Sequence, residues 1–172
     1  MSQSTALPIA WVALRILILL NVLYGLAIAA LVVLTILNPG WAMRGLGVAD
    51  YPDAERVLFW MRIAALLGLA AVPFNHAVLS RLQAVVETVR FGDPFVAANA
   101  YRLNAIAWSL MALQLISMAI AGIARMVSTA EHPFRLDAGF SAAGWLAVLM
   151  AFVLARVFAE GTLMREDLDG TV

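Results

Sequence analysis

The chain has no cysteine and no lysine, and charged residues fill only 13% of its 172 positions. Without cysteine there is no disulfide, no thiolate nucleophile and no thiolate zinc site, and the redox compartment stays open. All eleven basic residues are arginine, and eleven acidic residues balance them, so no net field argues for nucleic acid or an anionic ligand. The patterns of familiar active sites are missing too: no phosphate-binding glycine loop, no HExxH and no Ser/His/Asp arrangement. An enzyme is not expected, and neither is a cofactor or a metal.

What the chain has is hydrophobic length. Apolar residues make up 64% of it, against roughly 45–50% for a soluble domain, and a chain this short cannot bury that excess in one core. Four segments, about 16–37, 57–79, 103–123 and 140–159, each supply the ~20 apolar residues that cross ~30 Å of hydrocarbon. The expected fold is all-α: a polytopic membrane protein with one domain over 1–172, built as a bundle of four transmembrane helices. The apolar run from Ile16 to Leu37 far exceeds a signal-peptide core of about 7–15 residues, so it reads as a retained span.

Four spans put both ends of the chain on one side. Six arginines fall with the termini and the central link (Arg15, Arg81, Arg90, Arg102, Arg156, Arg165) and five on the opposite side (Arg44, Arg56, Arg62, Arg125, Arg135), a slight lean towards cytoplasmic termini. Trp11 and Trp108 mark one interface, and Trp41, Trp60 and Trp145 the other. His76 and His132 then lie on opposite faces and cannot share a metal. A lone His beside Asn75 near an interface fits a structural role better than a pH sensor.

Small residues predict how the spans pack. Asn21, Gly25 and Ala29 on the first span, Ala64 and Gly68 on the second, and Ala143, Ala147, Ala151, Ala155 and Ala159 on the fourth recur at four-residue spacing, which allows close helix approach. The alanine row is a candidate seam for a homo-oligomer. Asn38-Pro39-Gly40 stops the first span, and the link from Trp41 to Arg56 reads as an ordered, turn-rich loop with Asp53 as N-cap of the second span. Pro73 should kink that span. Gln114 lies nearest mid-membrane on the third span, with Ser109 and Ser117, and such groups face other helices because lipid offers them no partner.

The centre of the chain carries the strongest local signal. Ser80–Arg90 shows one apolar stripe, as a continuation of the second span or as a surface helix. In Phe91-Gly92-Asp93-Pro94, Gly92 suits a left-handed helix stop, Asp93 an N-cap and Pro94 a first helical residue. A helix starting at Pro94 and running to about Ala124 would make residues 80–102 a hairpin reaching on the order of 15 Å beyond the membrane. A short acidic tail, 161–172, would follow the fourth span.

Phe91-Gly92-Asp93-Pro94-Phe95, Asn99-Ala100 and Arg102-Leu103, followed by Phe134-Arg135-Leu136-Asp137 and Gly144-Trp145, resemble the bacterial four-helix membrane proteins of domain of unknown function 2975. The ending Arg165-Glu166-Asp167-Leu168 and Gly170-Thr171-Val172 is similar as well. The resemblance spans essentially the whole chain, most specifically about 88–108 and 134–172. It implies an integral protein of the bacterial inner membrane without known catalytic residues. It also implies genes beside small helix-turn-helix regulators, and hence a regulatory role with such a regulator as cytoplasmic partner.

The candidate partner-binding residues are Phe91, Asp93, Phe95, Asn99 and Arg102 at the hairpin. Capping alone accounts for Asp93 and Pro94, and Asn99 and Arg102, at i, i+3, can instead bond groups such as Glu87 or hold lipid headgroups. Arg156 and Glu160, at i, i+4, are a candidate intramembrane polar pair; close to the interface, simple pairing or snorkelling competes with an ion pathway. A second function, from another class, is a small oligomeric transporter or channel subunit, with Asn21, Gln114 and Ser117 lining interfaces or a pore.

Overall fold

The computed structural model describes residues 6–51, 53–92, 94–128 and 138–169, all of them helical or in the turns between helices. The helices are α1 (Ala6–Leu37), α2 (Pro39–Gly45), α3 (Ala54–Arg90), α4 (Ala97–Val127) and α5 (Ala142–Asp169). All but the seven-residue α2 are long and apolar enough to cross a membrane. The four-span, all-α membrane architecture read from the hydropathy is the one the chain adopts. Outside the described residues lie Asp93, the loop residues Glu131, His132, Pro133, Phe134, Arg135, Leu136 and Asp137, and Gly170, Thr171 and Val172. The same holds for the side chains of Glu166, Asp167 and Asp169.

The long helices pack in chain order as an open row. α1 lies on α3, α3 on α4 and α4 on α5. Among the described residues, no Cα of α1 comes within 8 Å of one in α4 or α5, nor one of α3 within 8 Å of α5. α3 and α4 are the inner members, and the buried residues of α4 run from Asn99 through Leu103, Ile106 and Ala107 to Ala121 and Ala124.

Each contact surface follows from side-chain size. On α1 the buried face is Leu14, Asn21, Gly25, Val32 and Thr35, an alternation of three, four and seven residues that keeps one stripe on α3. A Cβ on Gly25 would lie 3.0 Å from Val72 Cγ1, so the bare glycine sets how closely α1 and α3 approach. On α5 the face towards α4 is Gly144, Val148, Ala151, Ala155 and Thr162, where the burial alternates by four and three. The strict four-residue alanine row therefore drifts around the helix: Ala151 and Ala155 are buried with Leu103, Ile106 and Ala107, whereas Ala143 and Ala147 are exposed. The part of the seam that sequence offers to a second copy is already covered by α4.

Several boundaries differ from the expectation. α1 begins at Ala6, ten positions before the apolar run. Asn38-Pro39-Gly40 ends α1, but Pro39 also starts α2, because proline is as good at opening a helix as at closing one. Asp53 occupies the N-cap position of α3 without a side-chain hydrogen bond. α3 runs unbroken past Pro73 to Arg90, which makes Ser80–Arg90 a continuation of the span. α5 continues to Asp169, so most of the expected tail is helix.

The loop after α2 is ordered. Gly47 takes φ +69° after the helix, and Val48, 1% exposed, plugs the end of the bundle against Val57 and Val127. Further along α4, Ser117 Oγ accepts from Gly139 N at 3.0 Å, joining α4 to the entry of α5.

Candidate functional site

The hairpin end of the molecule gathers most of the residues singled out from sequence. α3 stops as expected: Phe91 N donates to Glu87 O at 3.2 Å, Gly92 N to Val89 O at 3.1 Å, and Gly92 takes φ +81°. That is the left-handed glycine stop. The start of α4 is different. Pro94, Phe95 and Val96 are not helical, and α4 opens at Ala97 with Val96 in the N-cap position. Pro94 is thus not the first helical residue, and α4 starts without a side-chain cap; what fixes the turn is a side chain within the helix.

That side chain is Asn99, which is 0% exposed. Its Nδ2 donates to Thr88 Oγ1 at 2.6 Å and to Pro94 O at 2.9 Å. Thr88 Oγ1 in turn donates to Val85 O at 2.7 Å, and Arg102 Nη1 donates to Asn99 Oδ1 at 2.8 Å. A single amide, with both hydrogens and its oxygen engaged, ties the end of α3, the connecting strand and the first turns of α4 together. Its partner on α3 is Thr88 and not Glu87. A buried amide left unpaired would be costly, which is why the network is complete.

Phe95 locks the third helix onto this end. Its ring lies 5.3 Å from that of Phe158, and a Cβ on Gly161 would come within 2.9 Å of Phe95 Cδ1. Thr162 Oγ1 donates to Phe158 O at 2.8 Å beside it. Of the candidate residues, Asn99 and Arg102 are joined to each other, Phe95 is half spent on α5, and Phe91 stands free at 82% exposed. Tyr101, 75% exposed, adds a second aromatic that sequence reasoning passed over. Its signal was available: it lies two residues after Asn99, and so off the buried face.

The start of α1 joins the same end. The Arg15 guanidinium lies 4.1 Å from the Trp11 ring centroid and that of Arg90 lies 5.8 Å away, so one indole receives two cations. Arg156 Nε donates to Glu160 Oε1 at 2.8 Å, with side chains 78% and 56% exposed. They pair, and they face outward from the row.

Asn21, Asn75 and Ser109, deeper in the spans, are satisfied locally. Asn75 Nδ2 donates to Asn21 Oδ1 at 2.9 Å, and Asn21 Nδ2 donates to Val72 O at 3.2 Å. This clamp meets α3 at the turn that Pro73 weakens by removing a donor. Ser109 Oγ donates to Ala105 O at 2.8 Å within α4. Gln114 lies against Gly144, the third residue of α5, where a Cβ would come within 1.6 Å of its Nε2. Gln114 is near the middle of the 31-residue α4, as expected, and faces α5. Among the described residues, no group of three His, Asp or Glu side chains could hold a metal ion.

Four long apolar helices packed side by side define an integral membrane protein of the four-helix class. The family model described as a protein of unknown function, DUF2975, matches residues 47–172, and the chain belongs to that family. The match takes in α3, α4 and α5 and leaves α1 outside it. No curated protein and no solved structure matches the chain.

Proposed function

We propose that this protein is a non-enzymatic regulator of the bacterial inner membrane, with its termini and hairpin in the cytoplasm, that holds a soluble partner at the hairpin end. A helix-turn-helix transcription regulator is the partner the family resemblance favours. The observation that carries this reading is the pair of exposed aromatics, Phe91 and Tyr101, on a hairpin too long for the membrane. α3 has 37 residues, about 55 Å at ~1.5 Å each, which exceeds ~30 Å of hydrocarbon by nearly half its length. The surplus is held rigid by Asn99 and buttressed by α5, as suits a docking platform. Exposed aromatics on a rigid support are the usual anchors of protein interfaces.

The transporter or channel reading gains no such support. Asn21 and Ser117 are hydrogen-bonded within the chain and Gln114 packs on Gly144, and an open row of helices encloses no pathway. The test is co-purification from membranes with the helix-turn-helix regulator encoded beside it. Retention by the wild type and its loss in Phe91→Ala/Tyr101→Ala supports the proposal. No retention, or equal retention by both, overturns it.

A further inference from the structure

At the end opposite the hairpin, α1 and α3 part to leave a cavity of about 310 Å³, within the ~300–1,000 Å³ range of small-molecule sites. Its floor on α3 is Ala64, Ala65 and Gly68, and Tyr24 and Ile28 of α1 form the facing wall. The void follows from this mismatch. The small-residue stripe that could have drawn α1 close meets Ile28 instead, whose Cδ1 lies 3.8 Å from where a Gly68 Cβ would be.

One cation closes the cavity. Arg62 Nε donates to Thr35 Oγ1 at 3.3 Å, and its Nη2 donates to Thr35 O, one of the carbonyls left unpaired at the end of α1. Both partners are neutral, and among the described residues no carboxylate pairs with this half-buried guanidinium. Arginine stays charged in any protein environment. A guanidinium withdrawn from water without a counter-charge is costly, and its fork of donors matches a phosphate best.

Depth and direction identify the counter-charge. Thr35 is two positions from the end of α1, and Arg62 is eight positions, ~12 Å, from the start of α3. That is the outer third of the spans, within reach of headgroups. From there the lining runs inward to Tyr24, eleven positions and ~16 Å along α1. We infer that the cavity is a specific site for one anionic phospholipid of the adjacent leaflet, with its phosphodiester on Arg62 and one acyl chain between α1 and α3. The neutral oxygens of Thr35 aim the guanidinium, and Ala64, Ala65 and Gly68 make the room. Such a lipid would complete the α1–α3 interface near the polar end.

The full-length protein, extracted in mild detergent, is titrated with phosphatidylglycerol and weighed intact by native mass spectrometry after washing that strips annular lipid. The expected result is one retained lipid on the wild type. Arg62→Gln should weaken retention at least tenfold. Ala65→Leu, which fills the groove and keeps the Arg62 charge, should abolish it. Glu160→Gln, at the other end, should leave it unchanged. Equal retention by wild type, Arg62→Gln and Ala65→Leu overturns the inference, as does a wild type that retains none. A change of oligomeric state in Ala65→Leu with lipid retained also overturns it, since the groove would then be a seam between copies.

Discussion

Asn99 Nδ2 donates to Thr88 Oγ1 at 2.6 Å across the turn from α3 to α4, at a site with no solvent exposure of the asparagine. The same amide holds Pro94 O and accepts from Arg102, so the turn from α3 to α4 is set by one side chain. Replacing it should cost more than replacing any one of its partners. Asn99→Ala is expected to lose about 2–3 kcal/mol, because several polar groups are left unpaired together, and Thr88→Val about 1 kcal/mol. Reversible unfolding in mixed micelles measures both, and equal losses would contradict the hub role.

Asn21 and Asn75 join α1 to α3 where the Pro73 turn is weak. A double-mutant cycle of Asn21→Leu and Asn75→Leu should give a coupling of about 0.6 kcal/mol and not above about 1.7, the scale found for hydrogen bonds between helices in membranes. Additive losses would mean that the two side chains do not interact.

Gly144 leaves room for Gln114 and for nothing else. Gly144→Ala should therefore destabilise α5 packing by about 1–3 kcal/mol through overpacking. Gln114→Ala in the same chain should restore most of the loss. Failure of the second change to compensate would place the strain elsewhere.

The Arg156–Glu160 pair is exposed on both sides, and it is a four-residue helical pair. Arg156→Gln should change stability by no more than about 0.5 kcal/mol, with the change fading as salt rises. A loss several times larger would show that the pair is buried against something in the native membrane.

Hydropathy made the number and type of the spans legible, because lipid allows few alternatives to an apolar helix. Gly92 was legible for a similar reason: its left-handed backbone leaves few other residues a place there. Pro94 was not, since a proline that can open a helix can equally sit three residues before one. Nor was the role of Thr88, eleven residues from Asn99, because a hydroxyl on a helix has no signature until the partner helix is placed. The alanine row was legible in part, at Ala151 and Ala155, for a geometric reason. A strict four-residue repeat drifts off the contact line, which α5 follows by alternating four and three. In sequence Arg62 was only one of five arginines on its side, and only the parted α1 and α3 show that it heads a cavity.

The proposed docking platform at the hairpin end has to lie outside the lipid. The most direct test is a benzophenone amino acid placed at Phe91 and, in a second chain, at Leu149, which is 61% exposed on the apolar face of α5. After irradiation of intact cells, position 91 should give a discrete adduct with a soluble protein, and position 149 adducts with lipid alone. Lipid adducts alone at both positions would contradict the account.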